Sequence, residues 1–346
     1  MNKKIHVAIL YSEAKREFFS SEEHFKTEEE VFERARVIGK RLEKIGFRIS
    51  LHPGNLETIV ALGKRKLDVA LNLVDSIGGK EERAAYIPAL LDLVGVPYTG
   101  ADSFGLTLNC DKALTKMILE KNGILVPKFW LFSNGEEVEG KDFVFPLIVK
   151  LNQAHGSVEI SQDAVVESVD ELRKRVDYLV GKYSQTVIAE EYIGGKEITV
   201  LVIESGKDNI VLAEERILFK RDKYPLYDYE AAWGEKEIYD VKKYPVDRRL
   251  REDVLKAFRV LKFRDYGRIE VIVDRKGRYF LIDPNANPSF GPYGTTSGPF
   301  GYLLHMNKIS FEEVAERILF RAVSGKVGEV VRSAGSPMTG SRLSSG

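Results

Sequence analysis

Two short runs of strand-forming residues near the end of the chain, joined by a glycine turn, restrict its fold most. The runs are 268–274 and 279–288, and both are rich in β-branched, aromatic and other apolar residues before the second one turns polar. A hairpin of this kind brings Glu270, Asp283 and Asn285 to neighbouring strand ends. Carboxylate and amide oxygens are the ligands that Mg²⁺ prefers, and they can hold the ion against a nucleotide phosphate. The sequence therefore predicts a nucleotide-dependent active site.

The chain is long enough for more than one domain. It has 346 residues, of which 44% are hydrophobic and 30% are charged, so it can bury a sizeable core and should divide into two or three domains. Lys plus Arg and Asp plus Glu both number 52, so the global charge does not favour binding to nucleic acid or to an anionic membrane. The single cysteine, Cys110, excludes an intramolecular disulfide and a cysteine-rich zinc site.

The N-terminus is interpreted as a first buried strand. Residues 5–10 are a short apolar run that follows two lysines, which is too short for a signal peptide. No segment is apolar for long enough to cross a bilayer. With its one cysteine, the chain fits a reducing cytoplasm, and we expect a cytoplasmic protein with no nucleic-acid or membrane partner.

Strand and helix patterns alternate in the first hundred residues. Strand-like runs occur at 5–10, 47–51 and 67–73, and helical patterns occur at 28–45 and 83–94. Alternation of this kind predicts a parallel sheet covered by helices. We expect an N-terminal α/β domain, 1–105, with its boundary near the last of these residues.

Two further α+β units are expected after this domain. The first, 106–195, contains a helical pattern followed by β-rich runs, and the second, 196–332, carries the hairpin and ends with a helix at 311–323. Residues 333–346 lose all periodicity and are interpreted as a disordered tail or a cloning remnant.

Two segments of the middle unit suit a nucleotide. Lys150 ends a strand and precedes the small-residue stretch 151–158, whose backbone N–H groups can approach a phosphate; taken alone, a lysine at a strand end more often only reaches solvent. Residues 190–197 combine a strand end, whose backbone can bind an adenine edge, with Glu197, which is placed to bind a ribose hydroxyl. The alternative for this segment is an ordinary strand, a loop and a solvated acid.

Taken in order, these motifs resemble those of the ATP-grasp superfamily, and most of all its D-alanine–D-alanine ligase branch. Each motif is common alone, but seven in the same order are hard to produce by chance. The matching segments are 97–100, 111–116, 146–150, 190–200, 227–229, 267–270 and 283–285. The resemblance implies an α/β (α+β) ATP-grasp fold, with an N-terminal parallel-sheet domain and two α+β subdomains that hold ATP between them.

The resemblance also implies roles for single residues, by their positions in these motifs. The nucleotide-binding residues are Lys112 and Lys150 at the phosphates, Glu190, Tyr192 and Ile193 at the adenine, Glu197 at the ribose, and Ile282 in the same site. The ligands of Mg²⁺ or Mn²⁺ are Glu270, Asp283 and Asn285. The catalytic residues are Arg268, which matches the arginine that stabilises the oxyanion, and Ser157, in the loop that closes over the phosphates. Arg268 also suits a pairing with Glu270, and both roles can hold together.

The implied reaction is ADP-forming synthesis of an amide bond. A carboxylate attacks the γ-phosphate of ATP to give an acyl phosphate, and an amine then displaces phosphate. We therefore expect an ATP- and Mg²⁺-dependent carboxylate–amine (peptide) ligase that acts on small amino acids or short peptides. Residues 220–240 are expected to form a lid that excludes water, and the resemblance implies a homodimer.

The positions that define D-alanine in the family are altered in this chain. It lacks the Gly-Gly-x-Ser-x-Glu stretch after the first strand, whose acid binds the first substrate's amino group, and the His-Gly segment after the third. The lid has Ala232 and Trp233 in place of Lys-Tyr, and Lys236 is the candidate to replace the missing lid lysine. The serine that binds the second substrate's carboxylate in the family has no match in register, and residues 295–297 are the candidates for its role. Glu159 replaces a glycine, and an acid beside phosphates is expected to face away or to bind metal. ATP use is therefore better supported than D-alanine use.

Two other functions stay open. The altered lid and substrate motifs are the reason for a second hypothesis, an ATP-binding regulatory or scaffolding protein that has lost ligase activity. Against it, Arg268 and three metal ligands are unexpected in a simple binder. Phosphoryl transfer to a hydroxyl group is the third hypothesis. ATP hydrolysis that depends on an added amino acid would separate the ligase from the binder.

Overall fold

The strands of the described residues form three sheets that follow one another along the chain. A computed structural model describes residues 5–19, 21–65, 67–205, 208–219, 223–234, 239–294 and 298–333. A parallel three-stranded sheet comes first, an antiparallel four-stranded sheet second and an antiparallel five-stranded sheet last. Within these residues, no helix combines the length and the apolar character that crossing a membrane requires.

The parallel sheet is the predicted one. β1 (His6–Tyr11) lies between β2 (Arg48–Pro53) and β3 (Val69–Leu73), and α2 (Val31–Lys44) and α3 (Leu56–Gly63) form the crossovers. All of β3 and the middle of β1 are buried, because helices cover both faces of the sheet. The predicted strands at 5–10, 47–51 and 67–73 are confirmed to within two residues.

The first helical segment differs from its prediction. The sequence predicts one helix over 28–45, but the structure has two, α1 (Glu22–Glu29) and α2, with a break at Glu30. The Ser21 hydroxyl begins α1 by accepting a hydrogen bond from the backbone N–H of His24 at 3.1 Å. A further helix, α4 (Tyr86–Leu93), lies inside the predicted span 83–94.

The four-stranded sheet has the order β4 (Phe129–Phe132), β7 (Val187–Glu191), β5 (Leu147–Leu151) and β6 (Val165–Val166). Helix α7 (Val169–Tyr183) packs on it through Leu172, Val176 and Leu179, which are three or four residues apart and share one helix face. Before this sheet the chain forms α5 (Ser103–Cys110) and α6 (Lys112–Lys121).

The five-stranded sheet contains the predicted hairpin. Its order is β10 (Tyr239–Lys243), β9 (Ile210–Leu218), β8 (Gly195–Ile203), β11 (Tyr266–Asp274) and β12 (Tyr279–Asn285). The remaining helices are α8 (Tyr229–Trp233), α9 (Arg248–Val260), α10 (Pro299–Met306) and α11 (Phe311–Ser333). The register of β11 and β12 pairs Glu270 with Asp283 and Arg268 with Asn285. The predicted hairpin is therefore confirmed.

The two faces of this sheet have different surroundings. Ile198 and Val200 face α9 and belong to one apolar core. On the opposite face, Leu201 and Ile203 pack with α10, α11 and the first sheet, whereas Glu197 lies further along the same face. Because side chains alternate along a strand, this face changes from apolar to charged along β8. The charged part faces the four-stranded sheet, and the candidate site lies there.

The domain boundaries near 105, 195 and 332 stay predictions. The apolar core under the five-stranded sheet includes Ala101, Leu106 and Leu119, which lie on both sides of the first boundary. Of the residues that the sequence singled out, Lys236, 295–297 and the tail after Ser333 lie outside the described residues.

Candidate active site

A cavity of about 400 Å³ lies between the four-stranded and the five-stranded sheets. Small-molecule sites commonly have volumes of about 300–1,000 Å³. The structure brings all but one of the predicted site residues to this cavity. The predicted site residues that line it, among others, are Lys112, Lys150, Ser157, Glu190, Tyr192, Ile193, Glu197, Arg268, Glu270, Ile282 and Asp283. Asn285 lines a smaller neighbouring cavity instead.

Glu190, near the end of β7, is buried between two lysines. Its Oε2 atom lies 3.1 Å from Lys150 Nζ and 3.3 Å from Lys116 Nζ, whereas Oε1 is buried without a hydrogen-bond partner among the described residues. Burial by itself would raise the pKa of Glu190, but the two ammonium groups lower it. Burial lowers the pKa of Lys116 to about 8, although Glu190 opposes the shift. Oε1 of Glu190 can therefore accept a hydrogen bond from a ligand.

Lys112 connects the loop after β5 to the hairpin. Its Nζ atom lies 3.7 Å from Asp283 Oδ1 and donates a hydrogen bond to the carbonyl oxygen of Ala154. Burial would raise the pKa of Asp283, but the neighbouring cations, Lys112 foremost, lower it to about 2. Asp283 is therefore ionised at neutral pH.

Arg216 on β9 is the centre of the charged face, and sequence reasoning missed it. Its Nη1 atom donates to Glu197 Oε1 at 2.9 Å and its Nη2 atom donates to Glu270 Oε1 at 3.1 Å. Its guanidinium carbon lies 3.9 Å from the centre of the Tyr227 ring. Burial would lower the pKa of Arg216, but Glu270 and the other acids raise it. The available signal was a run of three charged residues, 214–216, inside an otherwise apolar strand, because buried charges are normally paired.

Glu270 and Asp283 lie opposite each other in the ladder of β11 and β12. The Thr199 hydroxyl donates to Glu270 Oε2 at 2.7 Å, and Arg268 Nε lies 3.0 Å from Glu270 Oε1. Arg268 therefore pairs with Glu270, as expected, and it also lines both cavities.

The predicted metal ligands form a donor set that suits Mg²⁺ or Mn²⁺, since it has two carboxylates and one amide oxygen. The Lys112 ammonium at 3.7 Å from Asp283 is beyond hydrogen-bonding distance, so the Asp283 oxygens are open to a cation. In the part of the chain that the structure describes, no three His, Cys, Asp or Glu side chains are arranged to hold a metal by themselves. A cation here would need the Asn285 oxygen and oxygens from a ligand.

Asn109 on α5 fixes the strand end that carries these ligands. Its Nδ2 atom donates to the Pro284 carbonyl at 2.6 Å, and its Oδ1 atom accepts from the Ala286 N–H at 2.7 Å. The side chain is buried. One amide thus satisfies two backbone groups between Asp283 and Asn287, where the regular ladder ends.

The loop after β5 has an unusual backbone. Gly156, Ser157 and Glu159 have φ angles of 72°, 58° and 61°, and a non-glycine residue in this region costs about 1–2 kcal/mol. The Ser157 hydroxyl donates to the Tyr227 carbonyl at 3.5 Å. Glu159 accepts hydrogen bonds from Lys182 at 2.7 Å and Tyr183 at 2.9 Å, so it faces α7 and away from the cavity.

Helix α8 and the residues before it lie across this loop. Trp233 Nε1 donates to the Gly156 carbonyl at 2.9 Å, and Tyr192 donates from its hydroxyl to the Pro225 carbonyl at 3.0 Å. The backbone N–H of Tyr229 donates to the Ile160 carbonyl at 3.0 Å. The described part of the predicted lid therefore covers the loop, and its movement on ATP binding stays a prediction.

A second cavity, of about 130 Å³, adjoins the first. Five residues line both of them: His155, Gly156, Trp233, Arg268 and Ser289. The far wall of the second cavity carries three carboxylates, Glu28, Asp75 and Glu81. Arg34 pairs with Asp75 at 2.9 Å. This wall is predominantly acidic.

Glu28 on α1 is the second residue that sequence reasoning missed. It is 3% exposed, and its Oε2 atom accepts a hydrogen bond from the Ser76 hydroxyl at 2.7 Å. Burial, and after it the charge of Asp75, raises the pKa of Glu28 to about 7. Glu28 therefore contributes a buried acid from α1 to the second cavity. Glu28 is one of five acids from Glu22 to Glu30. Such a run is typical of a solvated helix, so the sequence gave no signal.

Glu81 joins α1 to the loop after β5. Its Oε1 and Oε2 atoms accept from the backbone N–H of His155 at 3.2 and 3.1 Å, and Oε1 lies 3.5 Å from His24 Nε2. Burial would raise the pKa of Glu81, but His155 and His24 lower it. Beside it, burial raises the pKa of the half-buried Cys110 thiol to about 12, so this thiol is unreactive.

Known proteins share both the sequence pattern and the fold. The chain is 29% identical over 235 residues to the uncharacterized protein y4sG of Sinorhizobium fredii. This alignment covers 66% of this chain and 68% of that protein. It is 28% identical over 287 residues to the D-alanine–D-alanine ligase of Thermotoga petrophila, with 82% of this chain and 89% of the relative covered. Its fold is similar to that of the Bacillus anthracis D-alanine–D-alanine ligase crystallised in complex with ATP, with a TM-score of 0.69, 17% identity and coverage of 94% and 99%.

The family comparison covers both antiparallel sheets. Residues 118–319 match the family model described as the D-ala D-ala ligase C-terminus. This span includes β4 to β12 and the hairpin with Glu270 and Asp283. The chain therefore belongs to the D-alanine–D-alanine ligase family and has its ATP-grasp fold.

Proposed function

We propose that this protein is an ADP-forming ligase that uses ATP and Mg²⁺ or Mn²⁺ to join a carboxylate to an amine through an acyl phosphate. One observation carries the proposal: apart from Asn285, the candidates for phosphate, metal and oxyanion binding line one cavity, which adjoins a second, acid-lined cavity that contains Asn285. Family membership and relatives named D-alanine–D-alanine ligase support ligation over phosphoryl transfer to a hydroxyl.

The first cavity would hold ATP. Glu190, through its unpartnered Oε1 atom, would accept a hydrogen bond from the adenine amino group. Glu197 would bind the ribose, and Lys112 and Lys150 would bind the phosphates. The related Bacillus anthracis ligase was crystallised in complex with ATP, which supports ATP as the nucleotide.

The reacting groups would meet where the two cavities join. Mg²⁺ or Mn²⁺, held by Glu270, Asp283 and Asn285, would neutralise charge on the phosphates. Arg268 would stabilise the oxyanion of the tetrahedral intermediate, and Trp233 and Ser157 would exclude water from the acyl phosphate. Loss of such an oxyanion donor typically lowers turnover by about 10²–10³-fold.

The second cavity would hold a small substrate that carries an ammonium group. Its volume of about 130 Å³ and its three carboxylates suit a small amino acid or the end of a short peptide. A bound ammonium group next to Glu28 would favour the ionised carboxylate. The altered family motifs leave D-alanine and other amino acids as candidates.

The test is phosphate release from ATP and Mg²⁺ with single amino acids and pairs, in both chiralities, with products identified by mass. An amide product that depends on an added amino acid supports the ligase, and its mass names the substrate pair. Measurable ATP binding with no turnover across the panel supports the regulatory or scaffolding alternative. A phosphorylated hydroxyl product would overturn both.

Two broader expectations belong to the same proposal. We expect the protein to work in the cytoplasm, where ATP and Mg²⁺ are available, and to form the homodimer implied by its family. Sedimentation of the purified chain at several concentrations tests the homodimer.

A further inference from the structure

His155 lies where the two cavities meet. It is one of five residues that line both, with Gly156, Trp233, Arg268 and Ser289. Among these described lining residues, it alone has a side chain whose ordinary pKa lies near neutrality. A group that handles a proton between the phosphate side and the acid-lined side would have to occupy this place.

The loop holds His155 by its backbone rather than by its ring. Its backbone N–H donates to both oxygens of Glu81, at 3.2 and 3.1 Å. Its ring Nε2 atom lies 3.8 Å from Glu81 Oε2, which is too long for a hydrogen bond but close enough for electrostatic orientation. The imidazole is therefore not needed to fix the loop.

The two ring nitrogens have different surroundings. A carboxylate only accepts hydrogen bonds, so the nitrogen facing Glu81, Nε2, is the better place for the proton of the neutral ring. Nδ1 then carries the lone pair. That atom is buried and has no hydrogen-bond partner in the part of the chain that the structure describes. An unpartnered acceptor at this junction suits an incoming N–H group.

The charges around the ring favour its neutral form. Burial, and then Lys112 of α6, lowers the pKa of His155, with Arg268 of β11 acting in the same direction. Glu81 and Asp283 oppose this shift, and His24 of α1 contacts Glu81 on its other side. A ring that is neutral at neutral pH can accept a proton.

We propose that His155 is the general base that takes the proton from the acceptor amine during amide formation. The inference rests on the proposed ligase function. The neutral amine attacks the carbonyl carbon of the acyl phosphate, a C–N bond forms, and the C–O bond to phosphate breaks with its electron pair leaving on the phosphate oxygen. The proton lost by the nitrogen goes to Nδ1 of His155, which passes it on after release of phosphate.

The experiment separates the two halves of the reaction. Hydroxylamine is unprotonated at neutral pH, and because its nitrogen is weakly basic, it loses its proton to water after attack without a protein base. It traps an acyl phosphate as a hydroxamate, so it reports the first half. Amide product, measured by mass, reports both halves. D-Alanine serves as the donor probe, alone with hydroxylamine and in pairs with the amino acids of the panel described above, and any donor active in that panel is used in the same way.

The expected result is a selective loss. His155→Gln keeps the backbone N–H on Glu81, so amide formation falls by about 10²–10⁴-fold while hydroxamate formation changes by less than about 10-fold. The matched control is His24→Gln, which removes the other histidine at Glu81 but lines neither cavity, and it should retain both activities. Free imidazole should restore amide formation to His155→Ala, which provides a second test if His155→Gln folds poorly.

Three results would overturn the inference. Equal losses of hydroxamate and amide in His155→Gln would show that the side chain only supports the loop, and undiminished amide formation would show that it has no role. Failure of imidazole to rescue His155→Ala, where that variant still binds ATP, would also count against it. Silence of the wild-type protein in both readouts would remove the ligase proposal itself, which distinguishes that failure from the failure of His155 alone.

Discussion

Both terminal nitrogens of Arg216 lie 3.1 Å from the carboxylate of Glu270. Nη1 also binds Glu197 at 2.9 Å, so one buried guanidinium compensates the buried Glu270 and the partly buried Glu197. Buried charges are tolerated only when they are paired and hydrogen-bonded. Arg216 therefore holds together the predicted ribose-binding and metal-binding acids, although no motif pointed to it.

Arg216→Met is expected to destabilise the protein strongly. It leaves the buried Glu270 and the partly buried Glu197 without their common cation, and breaking a buried ion pair in this way costs about 3–5 kcal/mol. Chemical denaturation at neutral pH measures the free energy of unfolding. The control is Arg249→Met on α9, whose Arg249 is 56% exposed and lies 4.0 Å from Asp253, and it should change that free energy by less than about 0.5 kcal/mol. Equal effects of the two variants would contradict the assigned role.

Glu28→Gln is expected to stabilise the protein at alkaline pH. The pKa of Glu28 is raised from 4.5 to about 7, so the folded state binds the proton more tightly than the unfolded state, and wild-type stability falls as the pH rises through this window. The variant has no such penalty and should gain up to about 3 kcal/mol over the wild type near pH 8, but little near pH 5. Urea denaturation across this range measures the difference.

The neighbouring residue gives the control for this pH dependence. Glu29→Gln changes an exposed acid of the same helix and should follow the wild-type curve. Glu214, whose pKa burial also raises to about 7, stays in all three proteins, so its contribution cancels. Parallel curves for wild type and Glu28→Gln would show that Glu28 carries no such penalty.

Lys116→Met is expected to weaken ATP binding. Lys116 is 1% exposed, contacts Glu190 and donates to the Ile282 carbonyl at 2.9 Å. Without it, Glu190 draws Lys150 away from the phosphates, and an increase in the dissociation constant for ATP of about 10-fold, or about 1.4 kcal/mol, should follow. Calorimetric titration measures it, with Lys121→Met at the exposed end of the same helix as the control. An unchanged constant for Lys116→Met would rule out this positioning role.

Asp283→Asn is expected to raise the Mg²⁺ requirement. Its ionised carboxylate, with a pKa lowered to about 2, is the acid least engaged by protein groups among the predicted ligands. The Mg²⁺ concentration for half-maximal phosphate release should rise by about 10–100-fold, in line with losses seen when metal-site partners are removed. Asp274→Asn, at the far end of the same hairpin, serves as the control. A similar Mg²⁺ dependence in both variants would place the cation elsewhere.

The strands and the order of the motifs along the chain were predictable, because each is encoded in a short stretch of consecutive residues. An alternating or apolar run reports its own burial, which is why β1, β3, β11 and β12 agree with the prediction. The break at Glu30 between α1 and α2 was not predicted. Residues 28–45 have continuous helical periodicity, and the acid-rich residues before them lack the apolar periodicity that would predict a separate helix. Likewise, Glu159 was recognised as an unusual residue, but only its contacts with α7 show which way it faces.

The sequence by itself determined the hairpin and the residues it presents. Side chains alternate between the two faces along each strand, and a tight turn joins the strands. This arrangement leaves few ways to place Arg268, Glu270 and Asp283. The tertiary structure alone decided what meets them. Glu28, His155 and Arg216 come from a helix, a loop and a strand that are far apart in the chain. Glu28 and His155 look like ordinary polar residues in their own segments, and the charged run at 214–216 does not show which acids Arg216 pairs with. Their burial and their charge states depend on contacts between sheets, and no local pattern records such contacts.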